Sequence, residues 1–188
     1  MRKLGLVALT VATLSTAVFA RGGFWHHRGG HNYYHQQVAT QVAELTDAQK
    51  ADLKFMFEEE KLARDVYITL GQKWEHRTFL NIQKSEQRHM DRVKYLLEKY
   101  GLEVPATEDQ IGVFENEELQ ALYNDLIAQG EASLADALNV GILIEQTDIA
   151  DLEEKIVDAP ADIQRIYGNL LKGSDHHLRA FTYALNNI

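Results

Sequence analysis

Four stretches of this chain, each more than twenty residues long, repeat apolar side chains every three or four positions and break that stripe at its middle with ionisable groups. The alternation is the buried seam of a bundle helix. Its clearest case is Phe79, Ile82, Glu86, His89, Val93, Leu96 and Tyr100, where a carboxylate and an imidazole three residues apart share the apolar face. Burying a charge without compensation is costly, so such groups are normally paired or bound to metal.

The same pattern recurs along the chain. Thr46-Asp47-Ala48-Gln49 reads as a capping box. It opens a helix to about Lys73 whose seam is Leu53, Met56, Glu60, Ala63, Tyr67 and Leu70, with Glu58 and Glu59 expected in solvent. A break at Trp74-Glu75-His76 leads into the second helix, which Gly101 closes. Residues 102–115 read as a loop, and a short helix capped by Asn116 follows over 117–129. It carries Leu119, Leu122, Tyr123 and Leu126 on one face and reads as a cover within a long crossover. The next helix starts after Ser133, runs to about Val157, and places Glu145 and Asp148 between Leu134, Leu138, Gly141 and Leu152. Pro160 belongs to the first turn of the last helix. That helix runs to Leu185 through Ile163, Ile166, Leu170, Ser174, His177, Phe181 and Ala184.

Short turns make successive helices antiparallel neighbours. Glu60 precedes Trp74 by 14 residues, and Glu86 and His89 follow it by 12 and 15. Glu145 and Asp148 precede Pro160 by 15 and 12, and Ser174 and His177 follow it by 14 and 17. The two hairpins therefore bring carboxylates and one histidine each to mid-bundle. Four carboxylates and two neutral imidazoles would neutralise two divalent cations, and this mixture of oxygen and nitrogen suits iron or manganese, with zinc also accommodated.

Composition narrows the reading further. The 188 residues suffice for one all-α domain, placed at 46–188, with a sizeable core. A formal net charge of −9 argues against a nucleic-acid partner, and the absence of cysteine excludes thiolate metal sites. Arg2 and Lys3 followed by the apolar run Leu4–Phe19 and by Ala20 have the order of a secretory signal over residues 1–20. Without it the mature chain carries −11 (17 basic against 28 acidic residues), contains no membrane span, and is expected in the periplasm or outside the cell. Residues 21–45 read as a glycine- and histidine-rich flexible segment in which His26, His27, His31 and His35 form a tract of a kind that can recruit metal.

A bundle with Glu on one helix and Glu-x-x-His on the next resembles the ferritin-like di-iron carboxylate proteins. Glu60-Lys61-Leu62-Ala63-Arg64-Asp65-Val66-Tyr67 and Glu86-Gln87-Arg88-His89 are similar to the first and second metal motifs of rubrerythrins. The segment from about Leu45 to Phe181 also resembles an uncharacterised bacterial domain family placed in that superfamily. Its marks here are Glu-Glu-Glu-Lys-Leu-Ala-Arg-Asp, Ser-Glu-Gln-x-His-Met and Gly-Ser-x-x-His-Leu-Arg-Ala-Phe.

The resemblance implies an antiparallel four-helix bundle with one extra helix in its crossover. It implies two metals, iron first, held by Glu60, Glu86, His89, Glu145, Asp148 and His177, and ferrous oxidation or reduction of dioxygen or peroxide. The last helix departs from the pattern, because Ser174 stands where a carboxylate is usual, and Asp148 is the candidate to replace it. Tyr67 reads either as a hydrogen-bond donor to a ligand carboxylate or as a core tyrosine, and Arg64 as a surface or charge-balancing partner. A metal buffer without turnover and a structural bundle with a polar seam are the competing readings, and homo-oligomerisation stays open. Export predicts cleavage after Ala20. Intact-mass measurement of protein secreted by a bacterial host should find a chain beginning at Arg21, and a retained Met1 would contradict it.

Overall fold

The computed structural model describes residues 44–188, so the expected signal sequence and the four-histidine tract lie outside the described residues. All regular structure in that span is helical: α1 (Asp47–Trp74), α2 (Arg77–Lys99), α3 (Glu117–Gly130), α4 (Leu134–Lys155) and α5 (Ala161–Leu185). The caps explain the starts. Thr46 Oγ1 accepts from the Gln49 N–H (3.2 Å) while Gln49 Oε1 accepts from the Thr46 N–H (3.0 Å), a complete capping box. Asn116 and Ser133 take up the first free N–H groups of α3 and α4. Pro160 stands at the N-cap of α5 rather than inside its first turn. Leu45 packs into the core, so the folded chain begins one residue before the expected boundary.

Glu75, in the left-handed region at φ 49°, turns α1 into α2 while its N–H donates back to the Gly71 carbonyl (2.9 Å). The α1–α2 and α4–α5 hairpins pack so that α1 lies along α4 and α2 along α5, and α3 rests on α1 and α4. The apolar interior is divided in two. One cluster, near the α1–α2 turn, gathers Val66, Leu70, Phe79, Leu138 and Phe181; the other gathers Leu53, Met56, Met90, Leu96, Ile163 and Leu170. On each of α1, α2, α4 and α5 the ionisable seam residues fall between the segments that feed these clusters. A polar layer thus crosses the bundle with apolar packing above and below it.

Residues 58–65 are buried through two full turns, not along one stripe. Glu58 and Glu59, expected in solvent, are 5% and 6% exposed. The crossover loop covers this side of α1, and Glu58 accepts the backbone N–H groups of Glu115 (2.6 Å) and Asn116 (3.0 Å) where the chain enters α3. The Lys61 ammonium donates to Asp65 Oδ2 (2.6 Å) and to the carbonyls of Gln110 and Val113, and sits 4.2 Å from the centre of the Phe114 ring. Arg64 is a buried charge-balancing partner, donating to Asp65 Oδ1 (2.8 Å), to Gln87 Oε1 and to the Glu108 carbonyl. Gly112 closes the cluster with its N–H on Asp65 Oδ2 (2.9 Å). Its φ of +74° and the Tyr123 ring 2.7 Å from where a Cβ would lie admit no larger residue. Within α3, Leu119 and Leu126 are buried whereas Leu122 is 38% exposed, so the covering face is narrower than expected.

Removing one member of a buried ion network strands its partner, at about 3–5 kcal/mol. Asp65→Ala is expected to lose about that much in urea unfolding, because Lys61, Arg64 and Gly112 all lean on it. An unchanged unfolding midpoint would show that the loop is held by other contacts.

Candidate metal centre

Each seam residue singled out in the sequence reaches the polar layer from its own helix: Glu60 from α1, Glu86 and His89 from α2, Glu145 and Asp148 from α4, Ser174 and His177 from α5. All are buried, with Glu60, Glu86 and Glu145 no more than 2% exposed. Glu86 occupies the middle. Its Oε2 lies 3.1 Å from His89 Nδ1 and its Oε1 2.7 Å from His177 Nδ1. On the outer sides, Glu60 Oε2 lies 3.3 Å from His89 Nδ1 and Glu145 Oε2 lies 3.6 Å from His177 Nδ1. The two imidazoles stack with centroids 5.3 Å apart. The layer is therefore two similar halves, each one carboxylate and one imidazole, sharing Glu86.

The remaining polar groups hold this arrangement. The Tyr67 hydroxyl donates to Glu145 Oε1 (2.8 Å) and is also 3.4 Å from the Gly141 carbonyl. Ser174 Oγ donates to Asp148 Oδ2 (2.5 Å), so the serine of α5 orients the carboxylate that α4 supplies. Asp148 is joined to Ser174 rather than to either imidazole. Gly173 makes the room for His89, because a Cβ there would lie 2.5 Å from His89 Nε2. His176 is exposed and Asp175 half-buried, off the seam as expected.

Charge in this layer is poorly screened. Burial drives Glu60, Glu145 and Asp148 above the usual carboxylate range. For Glu86 burial works in the same direction but is outweighed by the two imidazoles beside it, which hold it low. His89 and His177 are raised by their carboxylate neighbours against the opposing effect of burial. Glu59, facing Asp151 at the edge of the layer, is pushed up to about 9, chiefly by burial.

Buried polar atoms nearly always have a hydrogen-bond partner. Here Glu60 Oε1, Glu86 Oε1, Asp148 Oδ1, His89 Nδ1 and His177 Nδ1 have none of acceptable geometry among the described residues. Atoms of Glu86, His89 and His177 converge within 4.8 Å of one another, a spacing one cation could span. The donor set, carboxylate oxygen with imidazole nitrogen, matches hard to borderline divalent metals.

Gly173 was the signal that periodicity alone does not read. A glycine inside a helix costs about 1 kcal/mol relative to alanine and so invites a packing reason, which Gly173 has in His89 and Gly168 of the same helix lacks. The burial of Glu59 carried no such signal.

An all-helical bundle with a buried carboxylate–imidazole layer is the class that fold and site define. The chain belongs to the family described as Uncharacterized protein domain (DUF2202), whose model matches residues 49–187. It is 52% identical over 144 residues to the uncharacterized protein MJ0754 of Methanocaldococcus jannaschii, covering 76% of this chain and 78% of that one. The crystal structure of hypothetical protein MJ0754 from Methanococcus jannaschii aligns with a TM-score of 0.75 at 51% identity, over 78% of this chain and 84% of that chain. A DUF305 fragment from Deinococcus radiodurans shares the fold at 18% identity, with a TM-score of 0.57 over 78% of this chain and all (100%) of the fragment.

Deleting the Tyr67 hydroxyl leaves a buried Glu145 oxygen without its donor, at about 1–3 kcal/mol. Tyr67→Phe should lower the unfolding midpoint accordingly, whereas Tyr183→Phe, at a 71% exposed position, should not. Equal effects would mean that the Tyr67–Glu145 bond holds nothing in place.

Proposed function

We propose that this protein is an exported metal-binding bundle of ferritin-like architecture whose polar layer holds two metal ions, iron in the first place and manganese or zinc as alternatives. The observation that carries the reading is Glu86, presenting one oxygen to each of two imidazole nitrogens at the centre of the bundle. Two hairpins joined by a long crossover, with Glu on the first helix and Glu-x-x-His on the second, support the architecture. The basic, apolar and small-residue order at the N-terminus supports export.

Glu60 and His89 would hold one ion, Glu145 and His177 the other, with Glu86 shared and Asp148 beside them. Bound iron would supply electrons and open coordination positions for reducing dioxygen or peroxide, with oxidation of ferrous iron as the counterpart. The chain's own residues prepare that chemistry. Tyr67 fixes the orientation of Glu145, and Ser174 that of Asp148. The apolar clusters close the layer to bulk water from above and below. His89 stays seated because Gly173 leaves space for its ring.

Metal analysis of untagged protein lacking residues 21–43 should find about two ions per chain. Glu86→Ala should abolish binding, and Gly173→Ala should lower it by displacing the His89 ring without removing any ligand group. A ligand that binds the folded chain at one hundred times its Kd stabilises by about 2.7 kcal/mol, so chelation should lower Tm in the wild type but not in Glu86→Ala. Oxygen- or peroxide-dependent turnover would then separate an oxidoreductase from a metal buffer. No metal after reconstitution would sink the proposal and leave a structural bundle with a polar seam.

A further inference from the structure

Where α2 and α5 run side by side, the bundle surface opens into a cleft of about 530 Å³. Arg88, Arg92 and Tyr95 line it from α2, Arg165 and Asn169 from α5, and His89 of the polar layer is also part of its wall. The three arginines are exposed. Among the described residues none of them makes an ion pair or a side-chain hydrogen bond. Of the carboxylates nearest in sequence, Glu86 belongs to the polar layer, Asp91 accepts from the neutral Gln87 amide (2.8 Å), and Asp162 accepts from Lys99 (2.6 Å) and Tyr100 (2.8 Å). Arg88 and Arg92 stand one helical turn apart, a like-charge pair that disfavours the helix carrying it. A chain of net charge −9 has thus gathered three arginines without an ion-pair partner around one opening.

We propose that this cleft binds a small oxyanion of the phosphate class beside His89. Guanidinium groups present planar pairs of donors that match the oxygens of such an anion, and their attraction is charge-assisted. The Tyr95 hydroxyl and the Asn169 amide add neutral donors. No carboxylate lines the cleft, so it attracts no metal cation, and its field repels one. This face therefore serves an anion rather than the loading of metal. The only large apolar side chain exposed at the cleft is Tyr95, whereas a membrane-docking surface needs an apolar rim to insert. That favours a free anion over a lipid headgroup. The significance of its place beside His89 rests on the metal reading above; the binding itself does not.

The test is calorimetric titration of inorganic phosphate into the purified full chain before and after chelation, with Arg92→Gln, Arg165→Gln and, away from the cleft, Arg179→Gln. Circular dichroism checks that each variant keeps its helices. The expected result is one saturable site per chain in chelated protein, weakened at least about tenfold by Arg92→Gln and by Arg165→Gln, the loss of one charge-assisted hydrogen bond. Arg179→Gln should bind as the wild type does, and phosphate should shift the His89 imidazole resonances. Absence of a saturable site overturns the proposal, as does equal weakening by Arg179→Gln, the mark of diffuse attraction. Capture by phosphatidylglycerol vesicles that saturating phosphate does not displace overturns it in favour of a lipid headgroup. Because the decisive titration uses chelated protein, failure to bind phosphate and failure to bind metal are separate results.

Discussion

Four carboxylates and two imidazoles buried in one layer set the conditions that the rest of the bundle must meet. Isolated charges in an apolar interior are unfavourable by many kcal/mol, so a layer of this kind persists only where its members compensate one another or share a counter-ion. Glu86 does most of that compensation, lying 3.1 and 2.7 Å from the two imidazole nitrogens. The apolar residues are consequently split into two clusters, each of which must be well packed by itself. The layer sets their separation, and the clusters in turn keep its dielectric low.

The first helix serves two surfaces at once. Glu60 and Tyr67 face the layer, while Glu58, Lys61, Arg64 and Asp65 face the crossover loop and hold it through backbone groups. The Glu-Glu-Glu-Lys-Leu-Ala-Arg-Asp run is a single motif because both tasks fall within two turns. A loop pinned in this way fixes the entry to α3, and α3 in turn packs on α1 and α4 over the apolar cluster near the α1–α2 turn.

Much of the candidate site was legible in the sequence. A three-four repeat states which residues share a face, and equal distances from a turn state which of them meet across a hairpin. That is why Glu60, Glu86, His89, Glu145, Asp148 and His177 could be named together. Glu58 was misplaced because helical periodicity sorts residues against one partner face, and α1 has two; Glu59 is buried beside Asp151 of α4, at the edge of the seam that the repeat marks. The role of Ser174 was half legible. Its side chain could not replace a carboxylate, but the 2.5 Å bond to Asp148 depends on how α4 and α5 are rotated about their axes.

The sequence by itself determined the five helices, the side-chain caps of α1, α3 and α4, the two turns that bring the ionisable residues to one level, and the all-α class. These follow from local periodicity, capping and turn chemistry, which act over a few residues. Tertiary structure decided which oxygen meets which nitrogen, the burial of the outer face of α1, the notch at Gly173 and the cleft of Arg88, Arg92 and Arg165. Each of these joins residues from different helices or from a helix and a distant loop. Helix rotation and loop path, which arise from packing the whole chain at once, are not written in any local repeat.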